Sequence, residues 1–136
     1  MPPPAEVRFR VRYAETDQMG VVYYSNYLVW MEVARVEWCR QQGSNYREME
    51  RDAGILLAVA ECTCRYHAPA RFDDEIVVKT WIERAHSRLV TFAYEMRLSP
   101  DGTLLASGTT RHLILNREFQ RIRLPEKYYA IFGLVT

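Results

Sequence analysis

The chain has 136 residues, with 18 Lys and Arg against 17 Asp and Glu, a formal net charge of +1. This length suits one domain, residues 1–136, whose core needs no disulfide or metal to fold. A nucleic-acid partner is not expected, because phosphate binding normally goes with a basic excess. A membrane span is not expected either, because no run approaches the roughly 18 apolar residues that it needs.

The N-terminus and the cysteines predict a cytoplasmic protein. The start of the chain, Met1–Glu6, lacks the basic and apolar regions of a signal peptide. Cys39, Cys62 and Cys64 are an odd number of thiols, and the spacing of the last two fits neither a zinc site nor a redox motif. We expect all three to be reduced core residues, which favours the cytoplasm.

The first predicted element is a strand over Glu6–Tyr13, followed by a loop. Val7, Phe9, Val11 and Tyr13 alternate with charged residues, a pattern typical of a half-buried strand. The next stretch, Ala14–Gly20, is rich in polar and turn-forming residues and predicts a loop.

A long helix is predicted over Asn26–Gln42. Its apolar residues recur every three to four positions, Ser25 or Asn26 can cap its start, and Gly43 suits its end. Additional apolar residues widen the stripe, so we expect the helix to be covered on most sides. A short helix over Tyr46–Arg51 follows, ending before Gly54.

The stretch from Leu56 to Arg117 predicts four strands, and a short helix is predicted after it over Glu126–Phe132. The clearest strand is Leu89–Leu98, and Ser99–Gly102 after it is a strong hairpin turn. Because the later strands have no helices between them, the sheet should be antiparallel. The expected fold class is α+β, a five-stranded antiparallel sheet curled around one long central helix.

Common catalytic motifs are absent from the sequence, and one loop carries the best candidate. There is no nucleophile elbow, phosphate-binding loop or dinucleotide fingerprint, and the three histidines are scattered singly. The loop Glu15–Gly20 places Asp17 shortly before a helix N-terminus, where backbone N–H groups lack partners. Asp17 either serves chemistry there or caps the turn or helix, and the spacing leaves both interpretations open.

Two segments carry a resemblance to a known family. They are YAETDQMGVVYYSNYLVWMEVARVEW over residues 13–38 and YHAPARFDDE over residues 66–75. The chain closely resembles the hotdog-fold acyl-CoA thioesterases of the 4-hydroxybenzoyl-CoA thioesterase type, a group that includes thioesterases associated with the Tol-Pal system. The resemblance covers nearly the whole chain and implies the hotdog fold.

The resemblance implies roles for individual residues. Asp17 matches the family's catalytic carboxylate, acting as nucleophile or general base, and a backbone N–H at or near Tyr24 matches the oxyanion donor. Many relatives have a histidine at the position of Tyr24, so the proton route and the substrate are open at this point. Asn26 and Tyr27 are expected near the substrate, and Ser87 and Arg88 near the pantetheine and nucleotide of coenzyme A.

The implied activity is hydrolysis of an acyl or aroyl coenzyme A thioester to the free acid and coenzyme A, with no metal or other cofactor. A thiolate leaves readily, so one carboxylate and one oxyanion donor can suffice. Tyr23, Tyr24, Tyr27 and Trp30 can line an acyl pocket, although core packing explains them equally well. Several cations besides Arg88 are candidates for the phosphates: Arg65, Arg71, Lys79, Arg84 and Arg111.

Two other functions stay open. The first is a non-catalytic module that binds acyl-CoA or acyl carrier protein. The second is a hotdog hydratase or dehydratase, which is less favoured because no histidine lies within ten residues of Asp17 in the sequence. The fold also implies a homodimer or homotetramer, since a single curled sheet has unpaired edges and relatives share their sites between subunits.

Overall fold

The computed structural model describes residues 2–134 and contains one antiparallel sheet around a long helix. The sheet order is β1-β3-β4-β5-β2. The strands are β1 (Ala5–Arg10), β2 (Leu56–Tyr66), β3 (Glu75–His86), β4 (Leu89–Ser99) and β5 (Leu104–Leu115). The helices are α1 (Asn26–Gln41) and α2 (Tyr46–Arg51). The expected α+β hotdog architecture is therefore confirmed.

The core lies between α1 and the concave face of the sheet. The buried residues of α1 are Tyr27, Trp30, Met31, Ala34, Trp38 and Cys39. Alternate residues of β4, from Val90 to Met96, face them and are fully or almost fully buried. Gly108 of β5 permits close packing here, because a Cβ at this position would lie 2.0 Å from the Thr63 carbonyl oxygen.

Strand β1 is shorter than the alternation predicts. It ends at Arg10, and residues Tyr13–Glu15 form a single 3-10 turn. The Glu15 carboxylate accepts a hydrogen bond from the Arg12 backbone N–H at 2.8 Å, which closes that turn. Tyr13 consequently leaves the core-facing register and is 75% exposed.

The expectation that α1 is covered on most sides was wrong. Val29 and Val33 face outward and are 45% and 43% exposed. Gly43 follows the C-cap with a φ of 83°, as predicted, and Ser25 is the N-cap residue, but its side chain makes no hydrogen bond to the helix. Asn26 instead donates its side-chain N–H to the Glu15 carbonyl oxygen at 2.8 Å. This bond ties the preceding loop to the start of α1.

Two other expectations fail at the periphery. The predicted final helix is limited to a 3-10 turn over Glu126–Tyr128, because the described chain beyond it forms only turns. Cys62 is exposed and Cys64 half-buried, since β2 is an edge strand whose only strand partner among residues 2–134 is β5. Cys39 alone is a core thiol, and burial raises its pKa to about 12. No helix in the described range is long and apolar enough to cross a bilayer.

Candidate active site

Asp17 lies in an open cleft of about 540 Å³ at the start of α1. The cleft is formed by the loop before α1 and by the chain just after β2. Its lining residues are Asp17, Met19, Val21, Val22, Tyr23, Tyr24, Tyr27, Tyr66, His67, Ala68 and Pro69. A carboxylate, an imidazole and several phenol rings therefore share one largely apolar cleft.

The loop around Asp17 is held by its own backbone. The Asp17 N–H donates to the Val21 carbonyl, and the Gly20 N–H donates to the Asp17 carbonyl, both at 2.9 Å. Gly20 has a φ of 81°, a conformation that favours glycine. The Val22 N–H also donates to the Ala70 carbonyl at 2.8 Å, which fastens the loop to the segment after β2.

One oxygen of the Asp17 carboxylate is occupied and the other is available. Oδ1 accepts a hydrogen bond from the Met19 N–H at 2.8 Å. Within residues 2–134, Oδ2 accepts no hydrogen bond. Asp17 therefore caps the turn through one carboxylate oxygen, as one of the two interpretations expected. It does not cap α1, which begins at Asn26 after Ser25 at the N-cap.

Tyr24 lines the cleft two residues before α1 begins. No acceptor within the described part of the chain pairs with the Tyr24 N–H. The Tyr66 hydroxyl donates to the Tyr24 carbonyl oxygen at 2.8 Å and so fixes this segment. An unpaired N–H just before a helix, on a residue that lines the same cleft as a carboxylate, can stabilise negative charge on an oxygen.

Tyr27 and the phenols around it form the inner wall. Tyr27 is buried, and its hydroxyl accepts a hydrogen bond from the Ala70 N–H at 3.3 Å. The pKa of Tyr27 is raised, and burial is the main cause of this increase. The pKa of Tyr23 is also raised, mainly through the Tyr24 hydroxyl and with a contribution from the nearby charge of Asp17. Both phenols are therefore neutral at physiological pH.

Glu15, two residues before Asp17, has a different environment. It is 6% exposed, and its Oε2 accepts hydrogen bonds from Trp30 Nε1 at 2.8 Å and from Arg12 Nη2 at 3.2 Å. Burial alone would raise the pKa of Glu15, but the hydrogen bonds from Arg12 and Trp30 outweigh it and lower the pKa. A buried carboxylate with these donors holds the loop against α1 and is poorly suited to take a proton.

The other predicted site residues are not all brought to this cleft. Asn26 points at the Glu15 carbonyl and positions the loop. Trp30 lines a separate groove of about 280 Å³ beside β1, so it does not line the Asp17 cleft. Ser87 and Arg88 lie in the β3–β4 turn, at the opposite end of the sheet from the chain that follows β2. Strand β3 has 12 residues, which separates the two ends by roughly 35 Å.

His67 is a cleft residue that the sequence did not indicate. It follows β2 directly and is 50 residues from Asp17 along the chain. The sequence-based objection to a hydratase, the lack of a nearby histidine, is therefore removed by the structure. A signal was present in the sequence, because His67 lies in the block YHAPARFDDE that resembles the family. The block by itself indicates no role for this histidine. Within residues 2–134, no three His, Cys, Asp or Glu side chains come together in a way that could hold a metal ion.

Fold and cleft together define a hotdog-fold protein with a carboxylate in the loop before its central helix. The family model of the Thioesterase-like superfamily matches residues 11–132. The chain belongs to this superfamily, and the resemblance drawn from its sequence is confirmed. It is thereby placed among thioester hydrolases.

Individual relatives agree with this assignment. The chain is 40% identical over 108 residues to a putative acyl-CoA thioesterase, YneP, of Bacillus subtilis, covering 79% of this chain and 77% of that one. It is 31% identical over 96 residues to the acyl-CoA thioester hydrolase YbgC of Escherichia coli, covering 71% and 70%. The structure of a DHNA-CoA thioesterase from Staphylococcus aureus superposes with a TM-score of 0.87 at 31% identity, covering 96% and 86% of the two chains.

Proposed function

We propose that this protein hydrolyses acyl or aroyl coenzyme A thioesters, with Asp17 as the catalytic carboxylate and the Tyr24 N–H as the oxyanion donor. The observation that carries the proposal is that Asp17 and Tyr24 line one cleft. Among the described residues, neither Asp17 Oδ2 nor the Tyr24 N–H has a hydrogen-bond partner. The names of the relatives support the substrate class.

The proposed reaction needs little else from the protein. Asp17 either attacks the thioester carbonyl or takes a proton from the attacking water. Negative charge then develops on the carbonyl oxygen, and one preorganised N–H donor is typically worth about 2.7–4 kcal/mol in the transition state. The tyrosines and the apolar side chains of the cleft provide a surface for the acyl group, with Tyr27 on its inner wall.

We also propose that the active unit is a homodimer or homotetramer in which β2 pairs with its copy. Strand β2 has 11 residues, and within residues 2–134 one of its edges has no strand partner, so this edge is a template for another strand. Antiparallel pairing of two β2 strands reverses their directions. The β3–β4 turn of one subunit, with Ser87 and Arg88, then comes to the same end of the joined sheet as the partner's cleft. This supports binding of the coenzyme A phosphates by the partner's turn, while the other basic residues remain alternatives.

The cytoplasmic location and the absence of a cofactor stay predictions. A protein that only binds acyl-CoA, and a hydratase that acts on it, are the alternatives to hydrolysis. Neither of them releases free thiol, so thiol release separates hydrolysis from both alternatives.

The direct test is a panel of acyl- and aroyl-CoAs scored by thiol release, with wild type and Asp17→Asn side by side. The asparagine keeps an oxygen for the Met19 N–H, so the loop should persist and the melting temperature should stay close to wild type or rise. We expect kcat to fall at least about a hundredfold with little change in KM, because the substitution removes charge and basicity with little change in shape. A folded Asp17→Asn that turns over at the wild-type rate would exclude Asp17, and unfolding of this variant would show that Asp17 is structural.

A further inference from the structure

His67 is a fixed side chain of the Asp17 cleft that the proposed mechanism does not use. Its backbone N–H donates to the Leu105 carbonyl at 2.8 Å, and its Nε2 lies 3.0 Å from Ser107 Oγ. Both partners are on β5, and the contact between Nε2 and Ser107 Oγ holds the ring from this neighbouring strand. The side chain is exposed, and within residues 2–134 its Nδ1 has no hydrogen-bond partner.

The geometry points to His67 as the residue that protonates the departing thiol of the thioester, with Ser107 as the positioning residue for its ring. This inference rests on the thioesterase function proposed above. It completes the proton route, because the cleft then has a group for taking a proton and a separate group for giving one.

The other polar side chains of the cleft are less suited to this step. Phenols ordinarily titrate near 10, and the pKa values of Tyr23, Tyr27 and Tyr66 are raised further. Burial is the main cause for the latter two, and the Tyr24 hydroxyl for the first. Imidazoles as a class change charge between about pH 5 and 8 and can both hold and release a proton at neutral pH. Of the three histidines, His67 alone lines this cleft, since His112 is fully buried and His86 ends β3.

The step balances in atoms and charge. Water adds to the carbonyl carbon, Asp17 takes one proton from it, and a C–O bond forms. The tetrahedral intermediate then breaks its C–S bond, and the electron pair of that bond goes to sulfur. The proton on Nδ1 of imidazolium His67 moves to the sulfur and gives the neutral thiol. Asp17 releases its proton to solvent, and His67 is protonated from solvent for the next turnover.

The test varies the leaving group while the acyl group stays the same. One substrate is the N-acetylcysteamine thioester, whose alkyl thiolate is the more basic leaving group and therefore gains more from protonation. The other is the thiophenol thioester, whose more acidic aryl thiol leaves without a proton. The carboxylic acid product is quantified for both substrates, so the readout does not depend on the thiol.

His67→Gln is the diagnostic variant, because glutamine can still hydrogen-bond to Ser107 but cannot carry a proton at neutral pH. We expect kcat/KM for the alkyl thioester to fall at least about tenfold, below the usual range for an acid because thiolates are good leaving groups. The aryl thioester should change less than about twofold. Like His67→Gln, Ser107→Ala should lose more activity on the alkyl thioester than on the aryl thioester. Its loss should be smaller, since the ring remains but is less well held.

Each outcome decides the question. Equal losses on both thioesters, or no loss on either, would overturn the role of His67 while leaving the thioesterase proposal intact. If Ser107→Ala keeps the wild-type ratio of activity on the two thioesters, the positioning role of Ser107 is likewise contradicted. If wild type hydrolyses neither thioester nor any acyl-CoA, the proposed function itself fails, and the proposal for His67 fails with it.

Discussion

Replacing Glu15 with glutamine should destabilise the fold without removing Asp17, the proposed catalytic carboxylate. The carboxylate receives a backbone N–H from Arg12 on one oxygen, and the Trp30 indole N–H and the Arg12 guanidinium on the other. Glutamine keeps a single oxygen. In either orientation of its amide, an NH₂ group therefore faces another donor.

The expected magnitude follows from burial. A buried donor without an acceptor costs about 1–3 kcal/mol, and Trp30 is only 2% exposed. The contact with the Arg12 guanidinium adds little, since that side chain is 75% exposed and such pairs are worth about 0–1 kcal/mol. We therefore expect the free energy of unfolding to fall by about 1–3 kcal/mol in Glu15→Gln. Arg12→Gln is the matched control, because it keeps the backbone N–H and should cost less than about 1 kcal/mol.

The pH dependence of this loss is a second readout. Because the pKa of Glu15 is lowered in the folded state, its contribution is fully present above the unfolded value of 4.5 and is lost as the pH falls through the folded pKa. The difference between wild type and Glu15→Gln should thus be largest near neutral pH and narrow below about pH 4.5. Denaturant unfolding at fixed protein concentration measures it.

Two results would refute this reasoning. If Glu15→Gln unfolds like wild type at neutral pH, the carboxylate does not hold the loop to α1. If it unfolds like wild type but loses kcat a hundredfold or more, Glu15 is the base and the role given to Asp17 is wrong. A double-mutant cycle with Trp30→Phe isolates the contact between the carboxylate and the indole, for which we expect a coupling of at least about 0.5 kcal/mol.

Three further outcomes are expected. Arg88→Ala should raise KM several-fold for a full coenzyme A thioester and hardly alter it for a pantetheine thioester, and equal losses on both substrates would contradict a phosphate contact. Sedimentation at micromolar concentration should show a dimer or tetramer, whereas a fully active species of only 16.0 kDa would argue against a shared site. Burial, with a contribution from the charge of Arg35, lowers the pKa of His112 to about 4. Because the unfolded chain then binds this proton more readily, the free energy of unfolding should decline as the pH falls from about 6.5 to 4. His112→Gln should flatten that decline in denaturant unfolding, and an unchanged slope would place its cause in other groups.

Much of the fold was predictable because local patterns and tertiary packing agree. The alternation from Val90 to Leu98 marks β4 correctly, and the three-to-four spacing marks the buried face of α1. The error at β1 occurs where a single side chain overrides the pattern. Glu15 closes a turn on the Arg12 N–H and ends the predicted register of β1 before Tyr13.

The candidate site was only partly predictable, because separation along the chain does not report distance in space. Asp17 and Tyr24 belong to one continuous segment, and their shared cleft follows from it. His67 enters that cleft only because β2 ends beside the loop, a consequence of sheet order that periodicity cannot reveal. Cys62 was misplaced for a related reason, since alternation does not distinguish an edge strand from a central one.

Glu15 and Asp17 illustrate how environment divides two similar residues of one loop between structure and chemistry. Glu15 is buried, and its carboxylate oxygens accept hydrogen bonds from Arg12 and from the Trp30 indole, so its charge stabilises the fold and its pKa is lowered. Asp17 lines a cleft and accepts one backbone N–H, which orients the carboxylate while Oδ2 stays free of partners within residues 2–134. The Glu15 carbonyl also accepts hydrogen bonds from the Tyr23 N–H and the Asn26 side chain, which sets the backbone on both sides of Tyr24. We therefore infer that the buried Glu15 positions the proposed oxyanion donor for Asp17, and for this reason Glu15→Gln should perturb stability first, whereas Asp17→Asn should perturb only turnover.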